Sequence, residues 1–369
     1  MATTIGLRLE PLDVLFFRDG RPFTGAERSV SGLPMPQTCA GALRTALLRA
    51  AGCDFRALGS AMKNGASFRD AVRQACATEH HWIGEMAVRG PWLARGTTGN
   101  GMDVLVPAPA TLHWEKKNPK RLHRLAPLPA GQLPGWNPPP DQRDLRPLWL
   151  RQLTATEPVS GYLTPRGAER FLQGTEVESD DLVQADDLFG LDYRTGIGIS
   201  PDRLVAEESQ IFGRGFLAFK ENVFLYVEAV APDEACNDSL IDEIGLLPFG
   251  GEGRHTAVRR APPFSWPQAH AQEKQRPLIL LTTPCAFEAG WKPRALDGRL
   301  VSAAVPGSLA FSGWDLARGG PKPTRFAVPA GSVYFLNSMP DDCEQTLAEN
   351  DEDRGQGWGC FLKGVWTDE

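Results

Sequence analysis

The chain has 369 residues, 42% of them apolar and 23% charged, with a formal net charge of -6. That length accommodates two domains or one large two-lobed unit with a sizeable core, and the composition excludes wholesale disorder. The acidic balance excludes indiscriminate coating of nucleic acid, which needs a strong basic excess, and leaves room only for a local basic groove.

The first elements are extended. Ile5, Leu7 and Leu9 alternate with Gly6, Arg8 and Glu10, the period of a half-buried strand, and Leu12 to Phe17 continue as an apolar run. The run ends in Phe16-Phe17-Arg18-Asp19-Gly20-Arg21-Pro22-Phe23, where Asp-Gly signals a turn between two arginines. Aromatic and guanidinium planes interleaved in this way suit stacking on unpaired bases and pairing with phosphate; they equally suit a hairpin tip above a packed core. After a polar connection over 25–36 that carries Arg28, residues 37–51 read as a helix. Ala40, Leu43, Leu47 and Ala50 recur at helical spacing, Pro36 suits the first position and Gly52 the C-terminal cap. Its N-terminal amides suit an anion, while Arg44 and Arg49 are either partners of such an anion or exposed solubilising residues.

Residues 53–150 are less regular. Phe68 to Cys76 has helical spacing, and Val104 to Trp114 reads as a strand with a proline-broken centre. The densest basic stretch, Lys116 to Arg124, reads as a solvated loop, and Pro127 to Pro147 as a surface linker or insertion. Phe189 to Ser200 holds Arg194-Thr195-Gly196-Ile197 and reads as a loop entering a strand; it lacks the spacing of a dinucleotide fingerprint. The acidic clusters at 176–187 and 349–353 read as solvated faces.

A second unit is expected from near Ile211. Phe216 to Phe219 and Val223 to Val230 read as a hairpin joined by Lys220-Glu221-Asn222, and Asp238 or Ser239 caps a helix running through Ile241, Ile244 and Leu247. That helix is expected to end at Leu247-Pro248-Phe249-Gly250-Gly251-Glu252-Gly253-Arg254, which opens the basic segment through His255 and Arg260. Three glycines in four positions let a backbone take positive φ and approach a phosphate closely; the alternative is a left-handed helix cap with nothing bound. Leu278–Thr283, 301–305, 308–311, 325–328 and 332–336 read as further strands. The order predicts an α+β protein with two units, 1–210 with insertions at about 55–150 and 211–369, each an antiparallel sheet backed by helices.

The seven cysteines include no Cys-x-x-Cys pair, so they supply no zinc or redox framework and fit a reducing compartment. The first residues lack a signal peptide and no apolar run reaches membrane-spanning length; a cytoplasmic protein is expected. No glycine loop ends in Gly-Lys-Ser/Thr, and the six histidines form no metal-ligand spacing.

Leu12-Asp13-Val14-Leu15-Phe16-Phe17-Arg18-Asp19-Gly20-Arg21-Pro22-Phe23, the helix with Ala40-Gly41-Ala42-Leu43-Arg44, Arg194-Thr195-Gly196-Ile197, Gly250-Gly251-Glu252-Gly253-Arg254 and the closing Gly357-x-Gly359-x-x-x-x-Gly364 carry a resemblance. Together they resemble the RAMP-superfamily subunits of type III-B CRISPR effector (Cmr) complexes, of the kind that caps the 5′ end of the guide RNA. The resemblance implies two ferredoxin-like (RRM-like) folds with long insertions and a groove for the 5′ handle of a crRNA. It also implies a non-catalytic role beside the large palm-domain subunit and the backbone RAMP subunits, with target RNA met only indirectly. By the same resemblance Arg18, Arg21 and Arg44 pair with phosphate or stack on bases. Gly250, Gly251 and Gly253 admit backbone approach with Arg254 as the charge and His255 beside it, and Gly357 and Gly359 support the groove wall. No cofactor is expected. The alternatives are a metal-independent guide-RNA-processing endoribonuclease, with His255 the one histidine beside a basic glycine loop, and a purely architectural assembly subunit.

Overall fold

The computed structural model describes residues 2–18, 29–97, 101–129, 131–138, 145–150, 153–200, 202–203, 205–232, 238–269, 275–315, 319–340 and 345–368. Arg21, with the Asp19-Gly20 turn signal and Arg28, lies outside them. The protein is a mixed α+β structure with several antiparallel sheets. Its contacts gather into two units, each assembled from three segments of chain: 1–91, 188–263 and 310–325 in one, 92–187, 264–309 and 326–369 in the other. The position near 211 where a second unit is expected to begin lies inside the strand Ala206–Phe219.

In the first unit the strand Ala2–Pro11 occupies the middle of a sheet. Val223–Pro232 pairs along one side of it and His255–Ala261 along the other, both antiparallel. Leu246–Pro248 extends the sheet beyond His255–Ala261. Ile5, Leu7 and Leu9 are buried as their alternation predicts, and each such side chain contributes about 1.5–3 kcal/mol when fully removed from water. The helix Pro36–Ala50 forms as expected and buries Cys39, Ala40, Leu43 and Leu47. Gly52 follows it with φ +65°. Three further helices, Phe55–Lys63, Phe68–Ala75 and Trp82–Glu85, come before the next long strand, Ala87–Gly96.

Three expectations in this unit are corrected. Phe189–Ile199 is a strand rather than a loop, paired antiparallel with Ala206–Phe219 from Phe189 opposite Phe219 to Ile199 opposite Ala206. Pairing that runs unbroken from Phe189 to Ile197 and shifts register before Ile199 supplies its backbone with hydrogen bonds that three interrupting glycines hide from propensity. The runs Phe216–Phe219 and Val223–Val230 adjoin in sequence but are not a hairpin pair: the first belongs to the Phe189–Ile199 sheet and the second pairs with Ala2–Pro11. The helix after Asp238 stops at Asp242, and Leu246–Pro248 is a strand that buries Leu247 alone. The glycine loop is therefore a β-hairpin tip, and the helix-cap reading does not hold.

The second unit is built on the antiparallel order Leu300–Ala304, Val333–Leu336, Gln275–Leu281, Phe361–Thr367. Leu278, Leu280, Val333, Phe335, Leu362 and Trp366 form its core with Phe171 and Leu172 of the helix Pro165–Leu172. Gly364 is where that helix meets the sheet: a Cβ there would lie 2.8 Å from Leu278 Cδ1 and 3.0 Å from the Leu172 Cα. Within the same unit Lys116–Arg124 is not a free loop, because Asn118–Arg124 pairs antiparallel with Leu112–Glu115. Among the described residues no helix is long and apolar enough to cross a membrane.

Candidate nucleic-acid interface

The opening motif and the glycine loop meet inside the first unit. After the strand Ala2–Pro11 the chain turns at Asp13 and bonds to the end of Ala206–Phe219 through a two-way backbone bridge, Leu15 N–H to the Leu217 carbonyl and back, each 2.8 Å. That bridge aims Phe16 at Phe216, ring centroids 5.3 Å apart, and Phe17 edge-on at Phe249, 5.0 Å apart. Phe16, Phe17, Phe216 and Phe249 are all buried. Phe16 and Phe17 are thus core residues and not free stacking platforms, which favours the packed-tip alternative for the aromatic half of this motif.

The glycine loop closes over that core. Its tip is held by Phe249 N–H to the Arg254 carbonyl at 2.8 Å, and Gly251 N–H donates to the Phe16 carbonyl at 2.8 Å. Gly250 has φ +82°, and a Cβ on it would lie 2.5 Å from the Phe16 carbonyl oxygen. The close approach that glycine permits here is to the protein's own backbone. Glu252 (φ +60°) and Gly253 (φ +65°) follow in left-handed conformation at the exposed end of the loop.

Three guanidiniums lie on the phenylalanine core. Arg254 and Arg194 sit 4.7 and 5.2 Å from the centroid of Phe216, and Arg214 sits 5.6 Å from that of Phe16, all within cation–π range. Each has a carboxylate partner. Arg254 Nη1 bonds Asp13 Oδ2 at 2.9 Å, Arg194 approaches the same oxygen at 3.6 Å while bonding Asp192 at 2.7 Å, and Arg214 pairs with Glu252. The Val14 amide first, then Arg194 and Arg254, hold the Asp13 carboxyl below the usual carboxylate range. The Asp192 bond keeps Arg194 more basic than usual. Asp13 is more than half exposed whereas Arg254 is largely covered, so the carboxylate is the outer member of the pair.

The structure therefore brings Gly250, Gly251, Gly253 and Arg254 together beside Phe16. His255 opens the next strand, its Nδ1 3.0 Å from the Gly253 carbonyl, and Arg18 is exposed just beyond Phe17. Arg44 is engaged within the helical part of the unit, donating to the Met86 carbonyl at 2.8 Å with its guanidinium 5.0 Å from the Phe68 ring. Gly357 and Gly359 belong to the other unit. Gly357 caps the helix Asp351–Gln356 with φ +87° and accepts a bond from Thr283 Oγ1 at 2.8 Å. A Cβ on Gly359 would lie 2.8 Å from Cys285 Sγ. In the basic stretch of that unit Arg124 is enclosed against Phe171, bonding its carbonyl at 2.9 Å, while Lys116 lies 3.9 Å from Glu157 and Arg121 3.9 Å from Glu115.

Asp13, Arg214, Phe216 and Glu252 complete the platform without having been singled out as site residues in the sequence. The available signal is the two-residue spacing of Asp192 with Arg194 and of Arg214 with Phe216, which places each pair on one face once both runs are known to be strands. Chemically the arrangement is a set of arginines on an aromatic floor, each paired with a carboxylate, whose charge suits an anion. Among the described residues no group of three or more His, Cys, Asp or Glu is placed to hold a metal.

A family model described as "CRISPR-associated protein (Cas_Cmr3)" matches residues 7–366. No curated protein sequence matches the chain. Among solved structures, a chain of the type III-B Cmr-beta complex bound to cognate target RNA, seen by cryo-EM, is similar with a TM-score of 0.50 and 17% identity, over 89% of this chain and 86% of that one. The same values hold for that complex with AMPPnP in its state 1. A chain of the Csm3–Csm4 subcomplex of the type III-A CRISPR-Cas interference complex has a TM-score of 0.39 at 10% identity, over 91% and 97% of the two chains. At 17% identity the likeness to the Cmr-beta chain is one of fold.

Proposed function

The chain belongs to the Cas_Cmr3 family of CRISPR-associated proteins, and on that premise we propose that it is a non-catalytic, RNA-binding subunit of a cytoplasmic type III-B effector complex acting in antiviral defence. In this reading its two units are ferredoxin-like. It holds the 5′ handle of the crRNA and bridges the large palm-domain subunit to the backbone RAMP subunits.

The observation that carries the RNA reading is the platform of Arg194, Arg214 and Arg254 on Phe16 and Phe216, with one exposed carboxylate, Asp13, lying between two of the guanidiniums. A phosphodiester is an anion of the same unit charge, and in this reading it takes the place of Asp13 there. Glu252 and Gly253 supply further support: among the described residues their amides donate to no carbonyl, and both residues are exposed. Single-stranded RNA held by backbone and guanidinium contacts, with no duplex to read, matches this chemistry. A hydrolytic role for His255 has less support, because its ring is engaged by the Gly253 carbonyl of its own loop.

The test is to purify the tagged protein from its native cytosol, sequence the 5′ ends of the RNA that comes with it, and repeat with Arg254→Glu. Small RNAs sharing one 5′ sequence, depleted by the substitution, are the expected result. Stable protein partners without enriched RNA would make the role architectural.

A further inference from the structure

Cys53 follows the helix Pro36–Ala50 and Cys76 ends the helix Phe68–Ala75, so the two are far apart in sequence and show no Cys-x-x-Cys signature. In space they are adjacent. The Asp54 amide donates to the Ala75 carbonyl at 3.0 Å. Both Asp54 (φ −75°, ψ 95°) and Cys76 (φ −122°, ψ 159°) are extended there. That bond joins the peptide group that follows Cys53 to the one that precedes Cys76, so the two cysteines flank a single hydrogen bond. A disulfide asks for Cα separations of about 4.4–6.8 Å. The two thiols are near enough that the Cys53 thiol is among the causes that raise the Cys76 thiol. Both are free thiols, Cys53 buried and Cys76 partly exposed.

We propose that Cys53 and Cys76 form a reversible dithiol–disulfide site, oxidised by a low-molecular-weight disulfide of the glutathione class. Cys76, the more accessible, attacks one sulfur of glutathione disulfide as its thiolate; a mixed disulfide forms and one glutathione thiolate leaves. Cys53, as its thiolate, then attacks the Cys76 sulfur and displaces the second glutathione. The two protons lost by the protein thiols end on the two glutathione thiolates, and the two electrons reside there as two reduced thiols. Burial, and then the neighbouring Cys53 thiol, push the Cys76 thiol up to about 12, so thiolate is scarce at neutral pH and the exchange is slow. The product fastens the end of the first helix to the end of the third, around the intervening Phe55–Lys63.

Trypsin places the two cysteines on separate peptides, 50–56 and 74–89, which makes the bond directly readable. The reduced full chain is incubated for a day with glutathione disulfide, quenched with iodoacetamide, digested and mapped by mass spectrometry. The expected product is peptide 50–56 joined to 74–89, lost on adding dithiothreitol. The Cys53→Ser variant, checked for folding by circular dichroism, is expected to trap glutathione on Cys76. Both cysteines carrying only carbamidomethyl, or wild-type Cys76 carrying glutathione with no joined peptide, overturns the proposal. So does a folded Cys53→Ser protein whose Cys76 takes up no glutathione.

Discussion

Arg194 and Arg214 stand directly opposite each other across the antiparallel pairing of Phe189–Ile199 with Ala206–Phe219. Like charges in that relation repel, and the fold keeps them there by giving each an acid: Asp192 for Arg194 and Glu252, from the glycine loop, for Arg214. In the proposed role a polyanion competes with these carboxylates for the guanidiniums, and the first two predictions concern that balance.

Asp13→Asn removes the carboxylate shared by Arg254 and Arg194 while leaving its shape. RNA retention by the assembled complex is expected to rise several-fold at low salt. If a phosphate now makes one more full contact, the plot of log affinity against log salt steepens by roughly 0.7. Fluorescence anisotropy of a labelled 5′-handle RNA over a sodium chloride series reads both; an unchanged slope and affinity would remove Asp13 from the interface.

Arg254→Ala should act in the opposite sense, weakening retention and flattening the salt dependence by a similar amount. Arg44→Ala is expected to leave the salt slope alone and to lower stability by about 1–2 kcal/mol, through loss of the Met86 carbonyl bond and the Phe68 contact. Anisotropy and urea denaturation on the same two variants separate the roles.

The three loop glycines are not equivalent. Gly250→Ala puts a Cβ 2.5 Å from the Phe16 carbonyl oxygen at φ +82° and should cost roughly 2–4 kcal/mol. Gly253→Ala has open space but positive φ, for about 1 kcal/mol, and Gly251→Ala, with negative φ and its nearest neighbour at 3.4 Å, should cost least. Urea midpoints that fail to follow this order would refute the packing described for the loop.

Acid sensitivity should centre on Asp181. Burial raises its carboxyl, but the Glu178 amide together with Arg166 and Arg170 brings it below the ordinary value of 3.8. A carboxyl depressed in the folded state stabilises fully above its unfolded value, and that contribution fades as pH falls through the folded one. Stability is therefore expected to be flat from pH 7 to about 5 and to drop below about 4. Asp181→Ala leaves two guanidiniums without their buried acceptor; it should cost about 3 kcal/mol at pH 7 and make the drop below pH 4 shallower. Urea titrations at pH 7, 5 and 3 on both proteins measure it.

Much of the fold was legible where burial and period agree. The helix Pro36–Ala50 follows from its spacing and its Pro and Gly punctuation. Gln275–Leu281, Leu300–Ala304 and Val333–Leu336 follow from short apolar runs. Leu246–Pro248 was not legible, because Ile241, Ile244 and Leu247 imitate helical spacing although the helix ends at Asp242. Nor was the partner of Val223–Pro232, since a run of apolar residues shows that it pairs but not with what. The candidate site divides in the same way. Gly250, Gly251 and Arg254 stand out in sequence by local composition. Asp13 acquires meaning only beside Arg254, 241 residues further on, and Arg214 and Glu252 only once the glycine loop is folded against the strand Ala206–Phe219.

That separation has a consequence for synthesis. The central strand of the first sheet is made well before its partners, for Leu9 pairs with Leu225 on one side and Val258 on the other. At about 5–20 residues per second, the ribosome needs roughly ten to forty seconds to supply the first of those partners. Throughout that interval Ile5, Leu7 and Leu9 form an apolar strand with both edges open, the kind of segment that holdase chaperones recognise. Slowing elongation before codon 225 is therefore expected to lower the soluble yield of this chain more than slowing it after codon 261.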